Sequence, residues 1–510
     1  MAIARTYGAT LVGVRGHPVE VEADLSEGLP GLTFTGLPDT TVVEARERVR
    51  AAIINAGVAW PNRRITLALL PADVRKYGSR FDLALAVAIL AAAGTIPAGP
   101  LAEAGWIGEL GLDGHIRSVR GVLPAVLALA AAGVRRVVVP RANAGEAALV
   151  PDIDVRAADD LREVIAWLRD EGPAPEPVLG LPKPTSRPPG LDLADVAGQR
   201  TARRALEVAA AGAHHLFLSG APGAGKTMLA ERLPGILPML GDDDALEVTA
   251  VHSVAGALPE DGCLVRVPPF QAPHHTASMA ALVGGGPGLA RAGSISLAHR
   301  GVLFLDEAPE FQPAALDALR QPLESGYVVL QRSAGSVTYP ARFLLVLAAN
   351  PCACGAPRDR DCTCASGTRR RYQQRLSGPL RDRIDLRVDV EPVARADLMD
   401  ATSAGESSDV VAARVGAARD AARDRWRAHG WTANADAHGA LLRARPWRPA
   451  RAALDAVERA MDQGLLSARG YDRVLRIAWT VADLAGHSSP DPGDVAEALY
   501  HRTGRSAVAA

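Results

Sequence analysis

"HHLFLSGAPGAGKTMLAERL", residues 214–233, runs from an apolar strand through a glycine-rich turn into a helix. Inside it, Gly220, Gly225, Lys226 and Thr227 occupy every fixed position of G-x-x-x-x-G-K-[ST]. Glycines let backbone N–H groups close around phosphate oxygens, and the start of the helix adds a positive partial charge. On this reading Gly220, Ala221, Pro222, Gly223, Ala224, Gly225, Lys226, Thr227 and Met228 wrap a nucleotide. Lys226 reaches the β- and γ-phosphates, and the Thr227 hydroxyl takes a Mg²⁺ position. A short pattern can arise by chance, but this one sits between the strand and the helix that its chemistry requires.

Two later segments extend the same engine. In "GVLFLDE" (301–307), Val302 to Leu305 form a buried strand that ends on Asp306 and Glu307. An aspartate at such a strand end can hold the metal, and the next carboxylate can polarise an attacking water. The bland alternative, acids capping a following helix, suits Glu310 better than this pair. "RFLLVLAANP" (342–351) ends on Asn350, whose amide can orient that water against the γ-phosphate. Together the three strands read as an ATP hydrolase with Mg²⁺ as its ion.

The composition narrows the rest. Lys+Arg (56) balance Asp+Glu (57), so binding of polyanions through bulk charge is excluded and any nucleic-acid contact needs a local basic surface. The longest apolar run, "LALAVAILAAAG" (83–94), is too short for a bilayer and reads as a buried helix. The opening "MAIARTYGATLVGV" lacks a basic-then-apolar leader, which with the five cysteines leads us to expect a cytoplasmic protein without a disulfide scaffold.

The expected architecture is α/β throughout its first two-thirds. Residues 1–170 alternate short strands such as "RITLALL" and "RRVVVP" with Ala-rich helices. The Pro- and Gly-dense stretch 171–190 reads as a semi-rigid linker. Residues 191–395 alternate strand and helix as a parallel sheet covered by helices requires, and 396–510 show helical periodicity alone.

The chain resembles the AAA+ ATPases of the magnesium-chelatase type, most closely the YifB/ComM group. The resemblance rests on ordered motifs: "DVAGQRTARRALEVAAAGAHHLFLSGAPGAGKTMLAERL", "FQAPHHTASMAALVGGG", "GSISLAHRGVLFLDEAPEF", "LRQPLESGYVVLQRSAGSVTYPARF", "NPCACG", "GPLRDRIDL" and "SARGYDRVLRIAWTVADLAG". It implies a central AAA+ P-loop core, a C-terminal helical lid, ATP and Mg²⁺ as cofactors, and a hexameric ring whose active sites are shared between neighbours. It implies that Arg383 is the arginine finger, with Arg381 next best, that Arg469 is the second sensor on the lid, and that Val196 and Gln199 lie at the adenine contact. Two segments would face the pore. One is the hairpin of "VVLQRSAGSVTYPARF", with Arg332 near its tip; the other is the glycine-rich insertion with His274, His275 and Arg291. The closest members of the group imply DNA as the partner, bound without sequence preference through Arg291 and Arg332 during branch migration or unwinding. An accessory motor that remodels a protein is the alternative.

The first 170 residues resemble the proteolytic domain of Lon. At the serine position of Lon stands Arg80, with Ser79 one place off, and at the dyad lysine stands Leu123. A Ser-Lys dyad needs an amine to take the hydroxyl proton, so a scaffold or a collar on the DNA side is expected here instead of a peptidase. Two other features stay open. Cys352, Cys354, Cys362 and Cys364 suit a structural tetrahedral Zn²⁺, or are thiols of a reduced surface loop. Arg369, Arg370 and Arg371 suit phosphate contacts, or form a solvated face at a subunit boundary.

Overall fold

The computed structural model describes residues 2–178, 190–258, 263–286, 291–332, 335–356, 361–399 and 405–504. They form two compact units. The first comprises Met1–Thr185 with Ala245–Val265 and Gln331–Tyr339; the second comprises Ser186–Asp244, Arg266–Leu330 and Pro340–Ala510.

The first unit is built on one eight-stranded sheet. Its strands are β1 (Ala2–Val12), β2 (Arg15–Ser26), β3 (Gly31–Thr35), β4 (Arg64–Leu70), β5 (Ala104–Trp106), β6 (Arg136–Pro140), β7 (Asp154–Ala158) and β8 (Glu176–Pro177), in the order β8-β7-β6-β5-β1-β2-β4-β3. The long β1–β2 hairpin forms because Gly13 turns at φ 65, a backbone conformation open to glycine. Along β2 the inward residues Val19, Val21, Ala23 and Leu25 alternate with polar ones, so one face is buried. The apolar run at 83–94 is indeed a helix, α1 (Asp82–Ala92), hydrophobic all round and buried on every side. Its first residue, Asp82, is buried against the Arg48 guanidinium at 2.7 Å, and burial lifts its pKa to about 6 despite that partner. Within the stretch 171–190 read as linker, Glu176 and Pro177 pair antiparallel with β7, and 179–189 lie outside the described residues.

The second unit carries a five-stranded parallel sheet. Its strands are β9 (Leu216–Gly220), β10 (Phe270–Gln271), β11 (Val302–Leu305), β14 (Leu344–Ala349) and β15 (Leu386–Val390), ordered β10-β11-β14-β9-β15. Between β11 and β14 in the chain, β12 (Tyr327–Arg332) and β13 (Gly335–Pro340) make the expected hairpin, whose turn residues 333–334 lie outside the described set. The central strands β11 and β14 read as unbroken apolar runs, buried along their whole length, as strands covered on both faces are. After β15 the described residues hold helices and no strand; the longest are Ser408–Trp426 and Ala468–Ala485.

The sheet and these C-terminal helices are joined by a buried polar cluster. Asp385, just before β15, accepts from the backbone N–H of His215 at 3.1 Å and pairs with Arg473 of helix 468–485. Arg473 also donates to the Arg383 carbonyl at 3.1 Å, while His214 Nε2 meets Thr480 Oγ1 of the same helix at 2.7 Å. Despite its burial, Asp385 is held well below the usual carboxylate range by Arg473 and the two histidines. The "HH" that opens the decisive stretch is thus a buried joint at the end of the sheet opposite the phosphate loop.

Candidate nucleotide site

At the C-terminal ends of β9, β11 and β14 lies a cavity of about 420 Å³. It is lined by Pro222, Gly223, Gly225, Lys226, Thr227, Met228, Asp306, Glu307, Ala349 and Asn350. Gly223 and Gly225 take φ 75 and φ 93, which lets the loop curl before helix Lys226–Glu231 begins. A side chain at Gly220 would strike the Val390 carbonyl, so the loop leaves the sheet only from a glycine.

Three contacts organise the cavity. Lys226 Nζ donates to the carbonyls of Gly220 (2.7 Å) and Ala221 (2.9 Å) and to Asn350 Oδ1 (3.1 Å). Thr227 Oγ1 donates to Asp306 Oδ2 at 2.6 Å, which places two hard oxygen ligands side by side. His275 Nδ1 lies 3.1 Å from Glu307 Oε2. Burial draws the Lys226 pKa down, opposed by the charges of Asp306 and Glu307. Glu307 itself has φ 49, a left-handed backbone that costs a non-glycine residue energy and is found where function requires it.

The other expected site residues fall elsewhere. Gln199 bridges the Ala224 carbonyl (3.1 Å) and the Glu391 carbonyl (2.5 Å), while the Val196 side chain is fully buried in the core. Arg383 and Arg469 do not line the cavity of their own chain. Arg383 pairs with Glu324 and donates to the Pro379 carbonyl at 2.7 Å. Arg469 is exposed in the first turn of helix 468–485, one turn before the Arg473 that touches Arg383. Arg291 is exposed; the side chain of Arg332 lies outside the described residues. Arg370 and Arg371 are exposed on helix Ser366–Gln374.

The four cysteines come together. Their sulfurs all lie within 4.8 Å of one another, and Cys354 and Cys362 are 3.5 Å apart. Four thiolates at about 2.3 Å from a central Zn²⁺ would be spaced about 3.8 Å apart, so the cluster fits that ion with only slight adjustment. The Cys354 N–H and the neighbouring thiols pull the Cys352 thiol down to about 7, and Cys352 and Cys354 in turn push Cys364 up to about 12.

Family models for the magnesium chelatase subunit ChlI match residues 192–398, 21–143 and, for its C-terminal part, 405–502. The competence protein ComM of Haemophilus influenzae is 41% identical over 510 residues, 98% of each chain. The chain belongs to the YifB/ComM family. YifB of Escherichia coli is 44% identical over 425 residues, 82% of each chain, and an uncharacterised protein of Mycobacterium tuberculosis is 53% identical over 503 residues, 98% of this chain and 99% of that one. A partial similarity extends to the Lon protease of Mycolicibacterium smegmatis, 30% identical over 171 residues, 31% of this chain and 22% of that protein.

As a YifB/ComM protein the chain is a magnesium-chelatase-like AAA+ member with a mixed α/β fold. At its Lon-like positions the Ser79 hydroxyl meets Glu109, Arg80 sits beside the Glu146 charge, and Leu123 is buried with its N–H on Glu146 Oε1 at 2.7 Å. No helix among the described residues is long and apolar enough to cross a membrane. Two residues at the site escaped the reading of the sequence. His275 stood out only as half of a His-His pair, and Tyr372, which lines a cavity beside Asn350, carried no signal at all.

Proposed function

We propose that this YifB/ComM chain is an ATP-hydrolysing ring motor that moves along or remodels branched DNA. The observation that carries the ATPase half is the 2.6 Å contact of Thr227 with Asp306 beside Glu307, across the cavity from the Lys226–Asn350 pair. Lys226 is placed for the phosphate chain, and Thr227 and Asp306 for the Mg²⁺ that would neutralise charge on it. Glu307 would orient and polarise the attacking water, and Asn350 would hold it in line. Arg383 and Arg469, neither of which lines the cavity of its own chain, suit delivery to the γ-phosphate of a neighbouring subunit in a hexamer. The reading includes a structural Zn²⁺ at the four cysteines, which leave no open position for water.

The DNA half is supported by similarity to a protein named for competence and by exposed arginines such as Arg291, Arg370 and Arg371 in a chain without net basic charge. Backbone contacts of this kind would serve a motor that must accept any sequence. The ChlI matches support a second reading, an ATP-driven remodeller of a protein partner. The test is the ATPase rate with branched DNA titrated in at low and at high salt. Stimulation that fades as salt rises favours DNA; a rate indifferent to DNA at low salt favours the protein partner.

A further inference from the structure

The cysteine cluster sits in the chain between Asn350, which lines the nucleotide cavity, and a helix that packs back beside Pro351. Asn350 follows directly on β14, and Cys352, buried, comes after Pro351. Cys364 lies two residues before helix Ser366–Gln374, whose Gln373 donates to the Pro351 carbonyl at 3.4 Å and whose buried Tyr372 lines a cavity together with Asn350 and Pro351. The chain leaves Asn350, carries the four gathered cysteines and returns to the Pro351 carbonyl. On its other side, Gly355 packs against the phosphate loop, where an added Cβ would lie 3.0 Å from Pro222 Cγ. Asn350 itself holds Lys226.

We propose that Cys352, Cys354, Cys362 and Cys364 bind one Zn²⁺ and that this knot fixes Asn350 and Pro222 around the nucleotide, making ATP handling depend on the metal. The inference rests on the ATPase reading above and adds a control point to it. The metal touches no nucleotide. It acts by removing freedom from the segment that carries Asn350, as outer-shell groups position the residues that act directly. Without the ion, four thiols in close contact gain nothing from their proximity, the return arm to the Pro351 carbonyl loosens, and Asn350 is no longer held opposite Lys226.

The test uses the full chain purified under reducing conditions. Zinc is measured per chain by elemental analysis, and affinity for a fluorescent ATP analogue is measured beside hydrolysis. We expect about one Zn²⁺ in the wild type and none in Cys362→Ser/Cys364→Ser, with hydrolysis lowered about 10- to 100-fold in that variant. Gln373→Ala, which removes only the return arm's bond to the Pro351 carbonyl, should keep its zinc and still lose activity. If the cysteine variant does not fold, stripping the wild type with a thiol-blocking reagent and a chelator, then restoring thiols and Zn²⁺, should lose and regain analogue binding. A wild type without zinc overturns the metal site. Zinc-free protein that binds and hydrolyses ATP as before overturns the coupling and leaves the ATPase reading intact. A zinc-loaded wild type that binds no ATP analogue overturns the ATPase reading and this inference with it.

Discussion

His275 Nδ1 and Glu307 Oε2 lie 3.1 Å apart, so the carboxylate assigned to water activation has a protein partner already in place. The two side chains are 31% and 53% exposed, which limits their attraction to at most about 1 kcal/mol. A restraint that weak can tune the rate without setting it. Replacing His275 by Ala should raise DNA-free ATP turnover about two- to fivefold, read as steady-state phosphate release. A loss beyond about tenfold would place His275 in the chemistry itself.

Glu307 adopts φ 49, a backbone that disfavours side chains by roughly 1 kcal/mol or more. Glu307→Gly should therefore hold or raise the thermal midpoint of the protein while abolishing turnover. Glu307→Gln should bind ATP normally and hydrolyse it about 10²- to 10⁴-fold more slowly. Differential scanning calorimetry beside a coupled ATPase assay checks both. A glycine variant that melts well below the wild type would mean the conformation is not strained.

Arg383 is tied to Glu324 and does not line the cavity that holds its own Lys226, so its loss should be repairable by a different subunit. Arg383→Ala and Lys226→Ala should each be about 10³-fold or more impaired alone. Mixing the two should restore a fraction of the wild-type rate, because some interfaces then combine an intact Lys226 with an intact Arg383. Mixtures as inert as their components would assign Arg383 a role within its own chain.

The buried joint at His215 sets a pH dependence of known sign. Leu345 N–H donates to His215 Nδ1 at 3.1 Å, and burial lowers the pKa of the ring to about 4. An unfolded histidine titrates near 6.5, so between about pH 6.5 and 4 the unfolded chain takes up a proton that the folded one refuses. This contribution to stability is complete above about pH 6.5 and lost as pH falls toward 4, by about 1.4 kcal/mol per unit. Asp385, whose folded pKa is depressed, loses its own contribution only below the unfolded carboxylate range near 3.9. Denaturant melts at pH 7 and about pH 5 should show a smaller drop in His215→Asn, which keeps an acceptor for Leu345, than in the wild type. Equal drops in both proteins would remove His215 from the account.

What the sequence disclosed depends on how local each feature is. The strand, turn and helix around Lys226 follow from twenty consecutive residues, and the buried helix at Asp82–Ala92 from a single apolar run. The grouping of Lys226, Asp306 and Asn350 was legible because parallel strands bring their C-terminal ends together whatever lies between. His275 and Tyr372 were not, since each reaches the site from a loop or helix whose path no periodicity encodes. The His214–Asp385–Arg473 joint was hidden for a different reason: its members are 170 residues apart or more in part, and burial, the property that matters, is not written in any one of them. Glu176 and Pro177 show the converse, because a Pro-rich composition reads as linker even where the backbone joins a sheet edge.

The central claim is that energy released at Thr227, Asp306 and Glu307 does work on a polynucleotide. Its most direct measurement is conversion of a synthetic four-way junction into separated duplexes by the purified full-length chain in Mg²⁺-ATP. We predict conversion by the wild type, none without hydrolysable ATP, none by Glu307→Gln, and assembly into rings under the same conditions. A protein that stays monomeric in Mg²⁺-ATP and leaves the junction intact while hydrolysing at a rate DNA does not alter would contradict it.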